Sequence, residues 1–523
     1  MFRQRSGESC ASLRTVGRAG MTGIAVRLAS LTLALATVAA GLFQVSAAGG
    51  AGGGKPPPNF LLVMVDDQAL NSFKRAYMPR TFSRIVDQGT RFRNGVAAPP
   101  LCCPDRAGIL TGQYPHNHGV FSNLIGYASL RDPQNTLPVW LDRAGYQTGF
   151  IGKFLNHYTD VAGAAPAPGF DSWFSFMGHA RYYDYYVSKD GKVRHFGVDR
   201  ADYSTDVFTR EAQRYVRRSS RSHNPFFLWL AYEAPHAGIS QIDPCQAPGS
   251  AAPPDRASVR AVEDVPLPRP PSFNERDVSD KPALIRNLPP LDHQAIQQIK
   301  DNWHCALAAM GEVDKGVARV MRELKRDGVD RNTIVIYVSD NGEFFGEHRR
   351  AGGKSDIYEP ALNVPFAVRI PDTYRRGRRV RATDAVVSNQ DIAATLVHYA
   401  HRSIDRVSTC DRSGDCRRMD GRSFAPLVGG GGQWPSKRGV LVEIAVGDHR
   451  YKAIRTRNYV YSELKTGERE LYDLRSDPYE LQNEAGSPAY AEAQQRLADR
   501  LAQLRRCSGI KGRDAPSDRH FCE

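Results

Sequence analysis

Four apolar runs of strand length mark the chain, and each stops abruptly at polar residues. "NFLLVMV" ends in Asp66-Asp67, "YQTGFI" in Gly152-Lys153, "FFLWLAY" in "EAPH" with His236, and "TIVIYVS" in Asp340-Asn341. Runs of β-branched and aromatic residues without polar alternation belong to strands buried on both faces, which predicts a mostly parallel sheet covered by helices. Helical periodicity fills the gaps, as in "MPRTFSRIVDQG" and "IQQIKDNWHCALAAMGEVDKGVARVMRELKRDG". Open α/β sheets bind ligands beyond the carboxyl ends of their strands. Four strand ends therefore bring two Asp, a Lys, a His and an Asp-Asn pair to one edge.

Later in the chain the pattern changes. "VGGGGQWPSKRG" reads as a linker, followed by "GVLVEIAV", "YKAIRTR", "YVYSEL" and "ELYDL", the strands of a small antiparallel sheet. "AYAEAQQRLADRLAQLRR" closes it with a helix. Residues 59–430 are thus expected to form the large α/β/α sandwich and residues 431–523 a small α+β subdomain. Residues 237–292 are Pro-rich with little periodicity, which is expected of a functional loop rimming the substrate pocket.

Composition narrows this only a little. With 523 residues, 41% apolar and 24% charged, the chain can bury a sizeable core. A net charge of +14 suits an anionic substrate, but no basic run interleaved with aromatics points to nucleic acid. Near the start, Arg14, Arg18 and Arg27 precede "LASLTLALATVAAGLF" and then "VSA" at Val45–Ala47. This reads as a signal peptide over 1–47, cleaved near Ala47, with a Gly/Pro-rich tether over 48–58. The expected product is secreted, without stable membrane insertion; an uncleaved N-terminal anchor is the alternative. Export permits disulfides. Cys410 with Cys416, Cys507 with Cys522 and Cys245 with Cys305 are the expected pairs, although spacing alone leaves connectivity open. The Cys102–Cys103 doublet remains unassigned.

Asp66, Asp67, Asp340 and Asn341 offer only oxygen ligands, the chemistry of a hard cation such as Ca²⁺, with Mg²⁺ possible, and not of zinc. In "LCCPDRAGILTG", Pro104 suits a first helical turn, so Cys102 falls just before a helix N-terminus, where anions are favoured. Arg106 adds a permanent planar cation. A thiolate is a poor match for a hard metal, and this arrangement asks for an oxygen nucleophile at position 102.

Cys102-Cys103-Pro104-Asp105-Arg106 followed by "AGILTG" resembles the sulfatase signature C-x-P-x-R-x-x-x-L-T-G, and "GYQTGFIGK" resembles the second sulfatase signature. "VDDQ", "APH", "SDNG", Lys354 with Tyr358-Glu359, and "ELYDLRSDPYELQN" follow in the family order. "LCCP", "YPHNHG", "GKFLN" and "FNERDVSDKP" look most like the N-acetylglucosamine-6-sulfatase branch. The resemblance implies an alkaline-phosphatase-like fold, with residues 59–430 as the catalytic domain. It implies that a formylglycine-generating enzyme converts Cys102 to formylglycine, whose hydrate attacks sulfur and touches the metal. Asp66, Asp67, Asp340 and Asn341 would hold Ca²⁺, and Arg106 would stabilise the hydrate. Lys153, Lys354 and His236 would line the sulfate, one of them assisting the leaving alkoxide. The implied substrate is a sulfated carbohydrate or an aryl sulfate.

Two departures from the family pattern stand out. Asp105 replaces the usual Ser or Ala, and a carboxylate there would slow maturation or repel sulfate. Leu155 replaces a histidine, for which His118 is a candidate substitute in substrate binding; His348 is expected outside the site. The competing readings are an arylsulfatase, a phosphonate or phosphate monoester hydrolase on the same scaffold, and a non-catalytic polysaccharide-binding protein. Asn341, where the phosphate-cleaving relatives typically carry His, favours sulfate.

Overall fold

The computed structural model describes residues 56–401, 409–410, 416–430, 432, 434–435, 437–446 and 449–507. The expected signal peptide and most of the tether lie outside the described residues, as does Cys522.

The main sheet is built from β1 (Asn59–Asp66), β2 (Thr90–Val96), β3 (Gln147–Gly152), β4 (Ser172–Met177), β5 (Tyr185–Lys189), β6 (Lys192–Phe196), β7 (Phe226–Pro235), β8 (Thr333–Ser339), β9 (Phe366–Arg369) and β10 (Ala382–Ser388). Their order is β10-β2-β9-β8-β1-β7-β3-β4-β5-β6. The four runs legible in the sequence form the parallel centre, β8-β1-β7-β3, extended in parallel by β4. Antiparallel pairings flank it through β9 on one side and the β4-β5-β6 meander on the other. Register runs unbroken from Asn59↔Thr333 to Val65↔Ser339, so Asp66 and Asp340 leave the sheet side by side. Gly152 pairs with Ala231, which brings Lys153 to the same edge.

The central strands feed both faces. Phe60, Leu62 and Met64 of β1 pack with Trp140 and Trp229, while Leu61, Val63 and Val65 pack with Phe208 and Val313. Helices α1 (Cys102–Thr111), α2 (Leu137–Arg143), α3 (Ser204–Ser219), α4 (His293–Arg326) and α5 (Asp391–His401) supply the outer layers. Residues of α1, α2 and α5 cover one face, and residues of α3 and α4 cover the other. This is the expected α/β/α sandwich, because a strand with apolar side chains on both faces needs a helix layer on each.

Strands β11 (Gly439–Val446), β12 (His449–Thr456), β13 (Tyr459–Leu464) and β14 (Arg469–Asp473) form the second sheet, antiparallel throughout, with helix α6 (Ala491–Leu504) following. A shared apolar cluster joins it to the main body: Val96, Ala98, Tyr114 and Tyr358 pack with Val440, Ile444 and Leu501. Among the described residues, no helix is long and apolar enough to cross a membrane.

Two of the expected disulfides are present, Cys245–Cys305 and Cys410–Cys416. Cys102 and Cys103 are free and buried. The Cys245–Cys305 bond ties the irregular 237–292 segment to α4. Replacing both residues by Ser releases a bridge of sequence separation 60. Chain entropy puts the loss at about 4 kcal/mol, read as a lower urea midpoint with the sheet signal retained. An unchanged midpoint contradicts that assignment.

Candidate active site

The site grows from the strand ends. Asp66 is the last residue of β1, and Asp67 turns into the left-handed region at φ 66°. Aspartate is among the few non-glycine residues that tolerate this region, and the turn carries the chain out of the sheet at this edge. Gly152 has φ 122°, and a Cβ on it would lie 1.7 Å from the Ala231 carbonyl oxygen. Only glycine lets β3 approach β7 that closely, and the next residue is Lys153. From the other side comes α1, whose ten residues are all buried. The helix begins at Cys102 itself, one residue earlier than expected, and Pro104 falls within its first turn. Gly112 ends it in the left-handed conformation, φ 68°.

Arg106 is fully buried and joins these pieces. Its Nε donates to Asp340 Oδ2 at 2.7 Å and its Nη2 to Asp66 Oδ2 at 2.8 Å, while Nη1 donates to the Lys153 carbonyl. The guanidinium is thus spent on the frame of the site. It braces the carboxylates, and Cys102 is among the groups whose charge acts on it.

Around this frame the charges alternate. Lys153 Nζ lies 2.6 Å from Asp66 Oδ2 and 3.3 Å from Glu233 Oε2. The Lys354 ammonium binds both oxygens of Asp67. His236 places Nε2 3.7 Å from Asp67 Oδ2 and Nδ1 3.2 Å from Glu233 Oε1. Cys102 Sγ sits 3.4 Å from Asp66 Oδ1. Burial alone would raise Asp66, but Lys153, Arg106, His236 and Lys354 hold its carboxyl well below the usual range. Asp340 is pushed the other way, up to about 6, by burial and the adjacent Asp66 charge, against the pull of Arg106. His236 rises to about 9: burial and Lys153 lower it, but the acids Asp67 and Glu233 prevail. Burial, then the charge of Asp66, drives the Cys102 thiol well above its normal value. An unmodified thiol here stays protonated and is a weak nucleophile.

The donor set fits a hard cation. Asp66, Asp67, Cys102 and His236 offer ligand atoms within 4.8 Å of one another. Asn341 donates from Nδ2 to Asp67 at 2.6 Å, which leaves its Oδ1 buried without a hydrogen-bond partner. A buried oxygen left unpaired among the described residues, next to a carboxyl pushed up to about 6, is what a bound cation would relieve. Asp340 stands outside the tight group because Arg106 and the Asp67 backbone N–H hold its two oxygens.

Other sequence-selected residues fall elsewhere. His118 is buried, and its Nδ1 accepts the Val120 N–H at 3.0 Å. Burial and Arg417 lower it to about 3, and the further groups acting on it are Glu443, His116 and Arg131, none of them in the site. It does not replace the missing histidine. Asp105 faces away from the site, accepting from Asn389 Nδ2 at 2.7 Å and from the Ala98 N–H at 3.3 Å. It therefore does not confront a bound sulfate. His348 pairs with Glu275 at 2.6 Å and stacks on Tyr358.

A cleft of about 210 Å³ opens over Cys102, Lys153, Glu233 and His236. Its outer wall comes from residues 154–160 and 176–180, with Asn123. Residues 237–292, expected to form the rim, contribute nothing to its lining. Glu233 and this wall were missed by sequence reasoning. An acid inside the β7 run, three residues before His236, was the available signal.

The sulfatase family model matches residues 58–402, and the model described as N-sulphoglucosamine sulphohydrolase, C-terminal, matches residues 346–507. The chain belongs to the sulfatase family and is a sulfuric ester hydrolase. It falls with the N-acetylglucosamine-6-sulfatase branch: the enzyme of that name from Capra hircus is 30% identical over 497 residues, covering 86% of this chain and 83% of that protein. An arylsulfatase from Volvox carteri is 29% identical, over 86% of this chain and 75% of its own length. Among solved structures, BT4656 in complex with D-glucosamine-2-N,6-O-disulfate superposes with a TM-score of 0.68 at 23% identity, covering 86% of this chain and 97% of that one. The fold is the alkaline-phosphatase-like sandwich, and the non-catalytic reading is set aside.

Arg106 gives a direct test of the frame. Arg106→Ala leaves two buried carboxylates facing each other and should cost about 3–5 kcal/mol, measured by urea unfolding. Arg106→Lys should recover only part of this, because an ammonium cannot span Asp66 and Asp340 in one plane.

Proposed function

We propose that this chain is a secreted hydrolase of a sulfate ester on a sugar, with N-acetylglucosamine-6-sulfate the first candidate, acting through a formylglycine at position 102 and a bound Ca²⁺. The observation that carries the reading is Cys102 at the first turn of α1, set among Asp66, Lys153 and His236 where its own thiol cannot ionise. Asn123, Asn156, Thr159 and His179 line the outer cleft beside Phe154, Tyr158 and Phe176, a mixture that suits the hydroxyl groups and the apolar face of a sugar ring. Relatives named as N-acetylglucosamine-6-sulfatases support the sugar, and relatives named as extracellular sulfatases support export. Residues 59–430 would be the catalytic domain, with 431–523 the companion.

Asp66, Asp67, Asp340 and Asn341 are the oxygen donors that would hold the cation. When present, the cation supplies Lewis-acid polarisation and the formylglycine hydrate an oxygen nucleophile. The chain's own residues do the rest. Lys153 and Lys354 bring two ammonium groups to the sulfate, His236 presents Nε2 as proton donor to the departing alkoxide, and Arg106 keeps the acids in place.

The activity test is sulfate release from N-acetylglucosamine-6-sulfate, set against an aryl sulfate and a phosphonate ester. Turnover of the phosphonate alone would contradict the reading. Chain produced beside a formylglycine-generating enzyme should show the peptide containing Cys102 lightened by the change from thiol to aldehyde. Cys102→Ala should be inactive, while Cys103→Ala should keep most activity. Full activity with an intact Cys102 thiol refutes the mechanism.

Metal loading should depend on pH. The raised Asp340 pKa means the metal-free fold binds a proton more tightly than the unfolded chain between roughly pH 4 and pH 6. This carboxyl therefore makes the metal-free protein lose stability as pH rises through that window, and a cation must displace the proton. Ca²⁺ should raise the melting temperature more at about pH 7.5 than at about pH 5, and Zn²⁺ should not substitute for it. A Ca²⁺ shift of equal size at both values would contradict the assignment.

A further inference from the structure

Glu233 is a buried acid within an otherwise apolar strand, and family membership gives it no task. It is 3% exposed and lines the cleft. The local backbone explains how it gets there. Pairing between β1 and β7 is regular up to Met64↔Ala231 and resumes at Asp66↔Pro235. Two steps on β1 thus correspond to four on β7. The extra residues bulge, and bulges re-aim side chains beside active sites. Here the bulge carries Glu233 back against His236, whose backbone N–H donates to the Glu233 carbonyl at 2.9 Å.

Its two carboxylate oxygens each stand at ion-pair distance from a cation, and Oε2 has no hydrogen-bond partner among the described residues. Oε1 lies 3.2 Å from His236 Nδ1, and Oε2 lies 3.3 Å from Lys153 Nζ. The ring nitrogen Nδ1 also lies 2.8 Å from the Ala237 carbonyl oxygen. A carbonyl and a carboxylate can only accept, so Nδ1 must carry a hydrogen and donate. That leaves Nε2 as the edge of the imidazole on which a proton can be held or released, and this edge faces Asp67 across 3.7 Å.

We infer that Glu233 is a positioning residue: it anchors Lys153 and His236 as one cationic wall of the cleft and fixes the His236 ring with Nε2 available to the leaving group. This rests on the proposed role of His236 as proton donor. Without Glu233 the imidazole keeps only the Ala237 carbonyl on Nδ1 and can rotate or exchange tautomers. Lys153 keeps Asp66 but loses its second anchor. A positioning role of this kind weighs on reactions whose leaving group needs a proton and spares those whose leaving group does not.

The test compares two esters within each variant of the full, matured, Ca²⁺-loaded chain. A sugar sulfate expels an alkoxide that must be protonated, whereas a nitrophenyl sulfate expels a stable phenolate. Glu233→Gln, which keeps the volume, should lower kcat on N-acetylglucosamine-6-sulfate by roughly 10–100-fold and on nitrophenyl sulfate by at most a few-fold. The ratio of the two rates does not depend on the fraction of enzyme folded, so a stability loss cannot mimic the result. His236→Ala should show the same selectivity. The double variant Glu233→Gln/His236→Ala should be no slower on the sugar sulfate than His236→Ala alone. Equal losses on the two esters, or losses that multiply in the double variant, overturn the role of Glu233 and leave the sulfatase reading intact. A matured wild type that cleaves neither ester overturns both.

Discussion

A single buried guanidinium holds the active edge together. Asp66 and Asp340 leave neighbouring parallel strands in register, so their buried carboxylates come close enough for the charge of one to act on the other. Like charges at that separation cannot both ionise in a protein interior unless something neutralises them. Arg106 does so from a helix, with a planar fork that donates to both acids and to the Lys153 carbonyl. The same contacts fix where α1 starts relative to β1, β3 and β8. Since Cys102 lies one turn before Arg106 on that helix, the position of Cys102 follows from the ion pair. Lysine would supply the charge but not the three-way geometry.

The neutralisation is partial, and the remainder shapes the chemistry. Asp66 stays ionised under the pull of several cations while Asp340 holds its proton up to about 6. Asn341 contributes an oxygen that no described residue satisfies. These features describe a site balanced for one more cation. On the opposite wall Glu233 stands at ion-pair distance from both Lys153 and His236, so the cleft keeps a positive face with an acid behind it. The arrangement explains why an unmodified cysteine is out of place: its thiol is flanked by Asp66, a carboxylate held well below the usual range.

The parallel core was legible because strands buried on both faces have no polar alternation, and no other element of that length looks so. The polar residues ending those runs were legible for the same reason, and they became Asp66, Lys153, His236 and Asp340. The peripheral strands β2, β5, β6, β9 and β10 were not read. They are short or partly exposed, and β6 is exposed along most of its length, so their burial pattern carries little information. His118 misled because a histidine beside a signature motif looks functional until its surroundings are known. They are Arg417, His116 and Glu443, the last on β11, more than three hundred residues later in the chain.

What the sequence determined by itself was the inventory: oxygen donors, lysines, a histidine and a cysteine, each at the end of a predictable element. Local periodicity and covalent order are enough for that, since each strand terminates at its own polar residue. Pairings across the chain were decided only in three dimensions. Which acids Arg106 bridged, which way Asp105 pointed, and that Glu233 belonged to the site at all depended on register and on one bulge in β7. A bulge shifts side chains by a fraction of a strand while leaving the hydrophobic pattern unchanged, so no pattern along the chain records it.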